Sequence, residues 1–325
     1  MIGVSRDTPS GRAFSAFYSL KYIIEHYRTD LDMDINYDYP LYRPPSEANS
    51  LILQVTLGCS FNRCSFCNMY RTKEYQERPW DDLKAEIDIL ANEFPEATRV
   101  FLADGDALNL PTDKLLRIIN YLHFKFPNLS RVASYAMPKN IFQKSDEDME
   151  SLRNAGLAML YLGIETGNDI ILKKITKGAT GKGILNACQK ARSHNFILSC
   201  MIILGLGGRT YTLQHIADTA RLVSIASPDY LAALNLQIEE AVQEEFVYKF
   251  GEPFVPLEDV EILDELHRLV AQINPRSPII FRANHASNVY SMGGSLPADK
   301  DKLLLLIEGL KASPSLLKPK ILRRF

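Results

Sequence analysis

Residues 51–67 read LILQVTLGCSFNRCSFC. An apolar run of strand length, 51–56 (LILQVT), leads into a glycine and then into three cysteines, Cys59, Cys64 and Cys67, spaced C-x4-C-x2-C. The same rhythm continues downstream. Further apolar runs fall at 98–103 (TRVFLA), 131–136 (RVASYA), 158–164 (AMLYLGI), 197–205 (ILSCMIILG) and 229–235 (DYLAALN). Helical patterns lie between them near 80–94, 112–125, 145–155, 180–194 and 210–226. Parallel neighbours need a crossover and a helix supplies it, so six strand–helix alternations predict an α/β fold with a parallel sheet. Near-continuous apolar strands fit burial on both faces. Such a sheet is either doubly wound and open or curled into a partial barrel. In both, reactive groups belong at the C-terminal strand ends, where the strand-to-helix loops converge.

The flanks are less regular. Residues 1–49 read as a lead-in: an amphipathic helix over 13–27 (AFSAFYSLKYIIEHY), then a stretch rich in Asp, Tyr and Pro ending at Arg43-Pro44-Pro45. Residues 50–236 hold the alternating core. Residues 237–325 loosen into helices near 257–273 and 298–312, a short run at 278–282 and a basic end, LLKPKILRRF, read as a solvated tail.

The 325 residues are 46% hydrophobic and 23% charged, which suits a globular protein with a substantial core. A formal net charge of −2 gives no global field favouring nucleic acid or an anionic membrane. No apolar stretch reaches transmembrane length and the first twelve residues lack the apolar run of a signal peptide, so the expectation is a cytoplasmic protein without membrane insertion.

Five cysteines, three of them within nine residues, argue against a disulfide framework and for metal or cluster binding. Thiolates are soft ligands for iron–sulfur clusters or zinc. Structural zinc wants a fourth protein ligand, yet the nearest other cysteine is Cys188 and no histidine lies between His26 and His123. Three thiolates with one open metal position make a catalytic arrangement. Cys188 in a helical pattern and Cys200 in a buried strand read as small core residues.

Cys59, Cys64 and Cys67, with Phe66 just before the last, resemble the radical S-adenosylmethionine (SAM) signature, with one residue more than the commonest spacing in the first gap. The resemblance covers about residues 50–236 and is to a stand-alone branch near the methylthiotransferases, anaerobic coproporphyrinogen oxidase and cobalamin-associated enzymes. It implies a partial (β/α)6 TIM-like barrel with an N-terminal lead-in helix and a C-terminal helical extension. It also implies a [4Fe–4S] cluster on the three cysteines, with SAM on the fourth iron. Reductive cleavage of SAM would give a 5′-deoxyadenosyl radical that takes hydrogen from a small organic substrate. An electron donor such as a flavodoxin or ferredoxin is implied as partner. Two other classes stay open: an RNA-binding or RNA-modifying protein, against which the net charge argues, and a non-catalytic zinc or iron–sulfur protein.

The resemblance extends to other strand ends. Asp104-Gly105-Asp106 matches an acidic, glycine-bearing segment touching the SAM amino group; out of context it reads as a plain turn, and its place at a strand end after the cysteine loop favours the match. Glu165, in Gly163-Ile164-Glu165-Thr166-Gly167, matches a carboxylate contacting the ribose or methionine part, or else caps the next helix. Gly205 and Gly207 match the glycines packing near adenine. Beyond the core, Arg282, Asn284, His285, Ser287 and Asn288 form a dense polar set. There His285 is a candidate proton donor or acceptor towards substrate, or else a hydrogen-bonded turn residue. Ser134, Tyr135, Asn235 and Gln237 are candidate pocket residues.

Overall fold

Apolar runs rich in Val, Ile, Leu and aromatics pair because a central strand can bury both of its faces. The structure is a computed structural model that describes residues 35–323; the helix expected over 13–27 lies outside the described residues. In chain order the strands are β1 (Leu51–Gln54), β2 (Thr56–Leu57), β3 (Gln76–Glu77), β4 (Arg99–Ala103), β5 (Arg131–Ala136), β6 (Leu157–Glu165), β7 (Ile197–Leu204), β8 (Tyr230–Asn235), β9 (Ile279–Ala283) and β10 (Met292–Leu296). The helices are α1 (Trp80–Glu93), α2 (Thr112–Lys125), α3 (Pro138–Gln143), α4 (Asp146–Ala155), α5 (Asp169–Lys174), α6 (Gly181–Ser193), α7 (Gly208–Ala226), α8 (Glu240–Phe250), α9 (Asp259–Gln272) and α10 (Lys300–Ala312). From Tyr37 onward the chain is one compact unit.

Eight strands form one sheet in the order β1-β4-β5-β6-β7-β8-β9-β10, parallel throughout except for the last pair. The short strands β2 and β3 make a separate antiparallel ribbon that frames the cysteine loop. Because successive parallel strands are neighbours and crossovers are right-handed, the helices that connect them fall on the same face of the sheet. The other face is left as a lining. It carries Phe101, Met159 and Tyr161 with Ile52, Tyr135, Ile197 and Met201 packed against them. Phe101, Tyr135 and Tyr161 meet edge to face at 5.1–6.1 Å between ring centroids.

The start of the strands is plugged by the lead-in. A short turn at Pro45–Glu47 buries Glu47 completely. One Glu47 oxygen accepts from Arg131 Nη2 at 2.6 Å and from the Tyr161 hydroxyl at 2.5 Å, and the Ser50 hydroxyl donates to the other.

The sheet does not stop after six strands. The C-terminal stretch, expected as a helical extension, adds β9 and β10 to the same sheet alongside α8, α9 and α10. The run at 278–282 foreshadows β9, but β10 is MGGSL, with two glycines and no β-branched residue. Register with β9, Met292 opposite Ala283 through Leu296 opposite Ile279, holds it instead of intrinsic propensity.

Candidate functional site

The loop carrying Cys59, Cys64 and Cys67 is fixed mainly through its own backbone. Arg71 donates to three of its carbonyls: Cys64 O at 2.7 Å, Cys67 O at 3.0 Å and Asn62 O at 3.2 Å. Asn62 turns the chain with φ 42° and ties Tyr70 O through its side-chain amide at 2.7 Å. Ser65 N–H donates to Ile175 O at 3.0 Å, and Phe66 packs on the cluster of Ile171, Ile175, Leu206 and Phe246. Phe66 therefore anchors the loop to the core. All three thiols are half-buried and free of disulfides. Burial pushes Cys59 up to about 11 and Cys64 up to about 12, and raises Cys67, so a bound metal has to displace their protons.

Gly105 lies against this loop. A Cβ there would come within 2.7 Å of the Tyr70 ring and 2.8 Å of Cys59 Cβ, so only glycine lets β4 approach the first cysteine this closely. Its neighbours brace the same loop. Asp106 accepts from Ser60 N–H at 2.8 Å and from the Ser60 hydroxyl at 2.5 Å. Fully buried Asp104 accepts through Oδ2 from Gln54 at 2.9 Å, Gly58 N–H at 3.1 Å and Lys73 Nζ at 3.1 Å. Asp104 Oδ1 has no partner, and neither has the buried Tyr70 hydroxyl. Burial raises both carboxyls above the usual range.

Glu165 ends β6 at φ 60°, the left-handed region, which costs a non-glycine residue about 1–2 kcal/mol. The next residues offset that strain. Thr166 N–H donates to Ile164 O at 2.7 Å, and Gly167 N–H to Thr219 Oγ1 at 2.9 Å. His215 Nε2 donates to Ile203 O at 3.1 Å, which leaves Nδ1 to accept the Thr166 hydroxyl at 2.8 Å. Burial lowers this imidazole to about 4, so it is neutral near pH 7. The turn aims Glu165 at Lys177, whose Nζ donates to Oε1 at 2.7 Å. Burial alone would push the Lys177 ammonium down. Glu165, Cys64 and Cys67 around it outweigh that and hold it up at about 12. A fixed cation thus stands beside two of the thiols.

Lys177 is the functional candidate that sequence reasoning missed. It follows α5 in Thr176-Lys177-Gly178, where Thr176 and Gly178 both take positive φ. Nothing in the pattern announces a buried lysine, although a positively charged residue between Thr and Gly after an acidic strand end is a searchable signal. Arg71, four residues beyond Cys67, was equally unmarked.

Other expected site residues take packing roles. Gly205, φ 78°, gives its N–H to Glu265 at 2.6 Å and would place a Cβ 2.9 Å from Ile262; Gly207 is covered by Ile171 and Tyr211. Both serve the turn into α7. Ser134 is fully buried on the helix-covered face, so only Tyr135 of that pair faces the lining; adjacent strand residues point to opposite sides. Asn235 and Asn288 are joined at 3.2 Å, and Asn235 N–H donates to Ser287 Oγ at 3.1 Å, stapling the loop after β9 to the end of β8. His285 accepts Ser287 N–H through Nδ1 at 3.2 Å and meets the Ser287 hydroxyl at 2.9 Å. It stands at the C-terminal end of β9 as a turn residue of that staple. Cys188 and Cys200 are fully buried in the core.

A helix-covered parallel sheet presenting a three-thiol loop, a buried carboxylate–ammonium pair and orphaned polar atoms at its strand ends defines a class: a cluster-binding α/β protein. The profile of the Radical SAM superfamily matches residues 53–223, more than half of the chain, and the chain belongs to that superfamily. The superfamily uses a [4Fe–4S] cluster and SAM, and its fold is the partial TIM barrel. The chain is 26% identical over 128 residues to the heme chaperone HemW of Bacillus subtilis, covering 39% of this chain and 34% of that protein. It is 24% identical over 244 residues to the tRNA-2-methylthio-N(6)-dimethylallyladenosine synthase of Shewanella pealeana, covering 73% and 48%. The matched stretches therefore span about a third to a half of those relatives' own length. Among solved structures, methylornithine synthase (PylB) superposes with a TM-score of 0.51 at 15% identity, over 79% of this chain and 68% of that one. Coproporphyrinogen III oxidase (HemN) from Escherichia coli gives 0.50 at 17%, over 69% and 52%. Among the described residues no helix is long and apolar enough to cross a membrane.

Proposed function

We propose that the chain is a radical SAM enzyme acting on a small or medium organic substrate, with Cys59, Cys64 and Cys67 as the cluster ligands. The observation that carries this reading is the free-thiol loop held by Arg71 beside the Glu165–Lys177 pair. The donor set fits the group. Three free thiols on one loop are soft donors of the kind that hold iron–sulfur clusters. The orphaned Asp104 Oδ1 suits an ammonium group, and the Tyr70 hydroxyl a polar ligand atom.

Cys59, Cys64 and Cys67 would hold the cluster, which with SAM would supply one-electron reductive cleavage to methionine and a 5′-deoxyadenosyl radical able to take hydrogen from a substrate. The chain's own residues hold and shield. Arg71 and Ser65 keep the loop in place, and Gly105 lets β4 close against Cys59. Glu165 and Lys177 present one fixed charge of each sign at the rim, where low dielectric strengthens their pull on a zwitterionic ligand. The aromatic lining from Phe101 to Tyr161 excludes water.

Beside the loop lies a cavity of about 350 Å³ lined by Ser60, Phe61, Arg63, Lys139 and Gly178 among others. Its two cations suit an acidic electron donor such as a flavodoxin or ferredoxin, in a cytoplasmic setting. The test is direct. Reconstituted anaerobically and given SAM and dithionite, the protein releases 5′-deoxyadenosine, and Cys59→Ala reduces that release to background; release by the alanine variant at the parental rate would overturn the ligand assignment.

A further inference from the structure

Register across the sheet places one row of residues on the lining. Gly163 of β6 is opposite Met201 of β7, Met201 opposite Ala232 of β8, Ala232 opposite Arg282 of β9, and Arg282 opposite Gly293 of β10. Paired residues in adjacent strands share a face. Met201 belongs to the aromatic lining, so Arg282 belongs to that face too. Alternation agrees: Ile279, Phe281 and Ala283 are buried on the helix side while Arg282 is exposed.

At one end of the row is the cofactor side of the site. A Cβ on Gly163 would meet Glu165 Oε1 at 1.9 Å and Lys177 Nζ at 3.0 Å, so the charged pair lies directly over this glycine. At the other end is Arg282. None of the ion pairs among the described residues includes it; its Nη1 donates to its own strand at Phe281 O, 3.0 Å away, and its guanidinium lies over Gly293. Between the two ends the floor is Met201 and Ala232, with half-buried Leu234 next along β8. Three strand spacings separate the ends, about 14 Å around the sheet.

We propose that Arg282 is the anchor for an anionic group, a carboxylate or phosphate, of a substrate whose apolar body lies over Met201 and Ala232 and reaches towards Gly163. This names the substrate class of the site described above and rests on the radical SAM reading. An arginine fork matches either anion in two parallel hydrogen bonds. Its place across a neutral floor lets it orient the far end of a ligand without competing with Glu165 and Lys177 for the near end. Small residues at 232 and 293 leave room for the body and for the guanidinium.

The test uses reconstituted protein with 8-anilinonaphthalene-1-sulfonate, an anion on an apolar body, and N-phenyl-1-naphthylamine, the same body without the anion. Fluorescence titration of the parent, Arg282→Gln and Arg282→Lys is read beside 5′-deoxyadenosine release without substrate. Expected are sulfonate binding weakened about tenfold or more by Arg282→Gln, only partly restored in Arg282→Lys, which keeps the charge but loses the fork, and unchanged binding of the neutral dye. Equal sulfonate affinity in parent and Arg282→Gln, or no sulfonate binding by the parent, overturns the anchor. Absence of 5′-deoxyadenosine from the parent would instead overturn the radical reading, so the two failures are told apart.

Discussion

Each end of the sheet buries a glutamate paired with a cation, and the two pairs are used differently. At the closed end Glu47 receives Arg131, Tyr161 and Ser50, so every oxygen is answered by protein. At the open end Glu165 is answered by Lys177, which in turn feels Cys64 and Cys67. The first pair braces the N-terminal ends of the strands. The second keeps charge available where a zwitterionic ligand would arrive. Residue type and burial are alike; what separates structure from function is how many hydrogen-bonding positions the protein leaves unanswered.

Three experiments probe that contrast. Glu47→Ala removes the hub of the plug and should lower unfolding free energy by about 3–5 kcal/mol, as for other one-sided losses of a buried pair. Release of 5′-deoxyadenosine per folded molecule should stay at the parental level, checked by denaturant melts and activity in parallel. A third buried glutamate, Glu265, has no cation and supplies the pH test. Burial raises its carboxyl from 4.5 to about 7, against the opposing hydrogen bonds from Thr212 and Gly205 N–H. Between those values the folded chain binds more protons than the unfolded one. Stability is therefore full below about pH 4.5 and declines as pH rises through about 7, by about 3 kcal/mol. Glu265→Gln should flatten this slope in denaturant midpoints taken from pH 5 to 8. Last, Glu165→Gln should cut SAM cleavage at least about a hundredfold, roughly 2.7 kcal/mol, while iron content stays parental. Cleavage within threefold of the parent would erase the distinction between the two ends.

Much of this organisation was legible in the sequence, for physical reasons. The six parallel strands stand out as apolar runs of strand length, and the cysteine loop because thiols at short spacing have few other uses. Helix α8 and strand β10 were invisible. Helix α8 exposes Val247 and Tyr248, which blurs its apolar face, and β10, with its two glycines, is held by register with β9. At the candidate site, Cys59, Cys64 and Cys67 and the acidic strand ends stand out in the sequence as candidates. Lys177 and Arg71 do not, since their importance comes from burial beside residues distant in sequence or from carbonyls the chain folds back to offer. Ser134 and Tyr135 were grouped by their shared strand end, and only the pleat separates them.

A cluster on Cys59, Cys64 and Cys67 would leave one iron open to SAM. Iron and acid-labile sulfide on anaerobically reconstituted protein, followed by electron paramagnetic resonance of the dithionite-reduced sample with and without SAM, tests it most directly. About four irons and four sulfides per chain, with a signal that changes when SAM is added, is the result the account predicts. Tightly bound zinc in place of iron, or a reduced cluster whose signal ignores SAM, would contradict it.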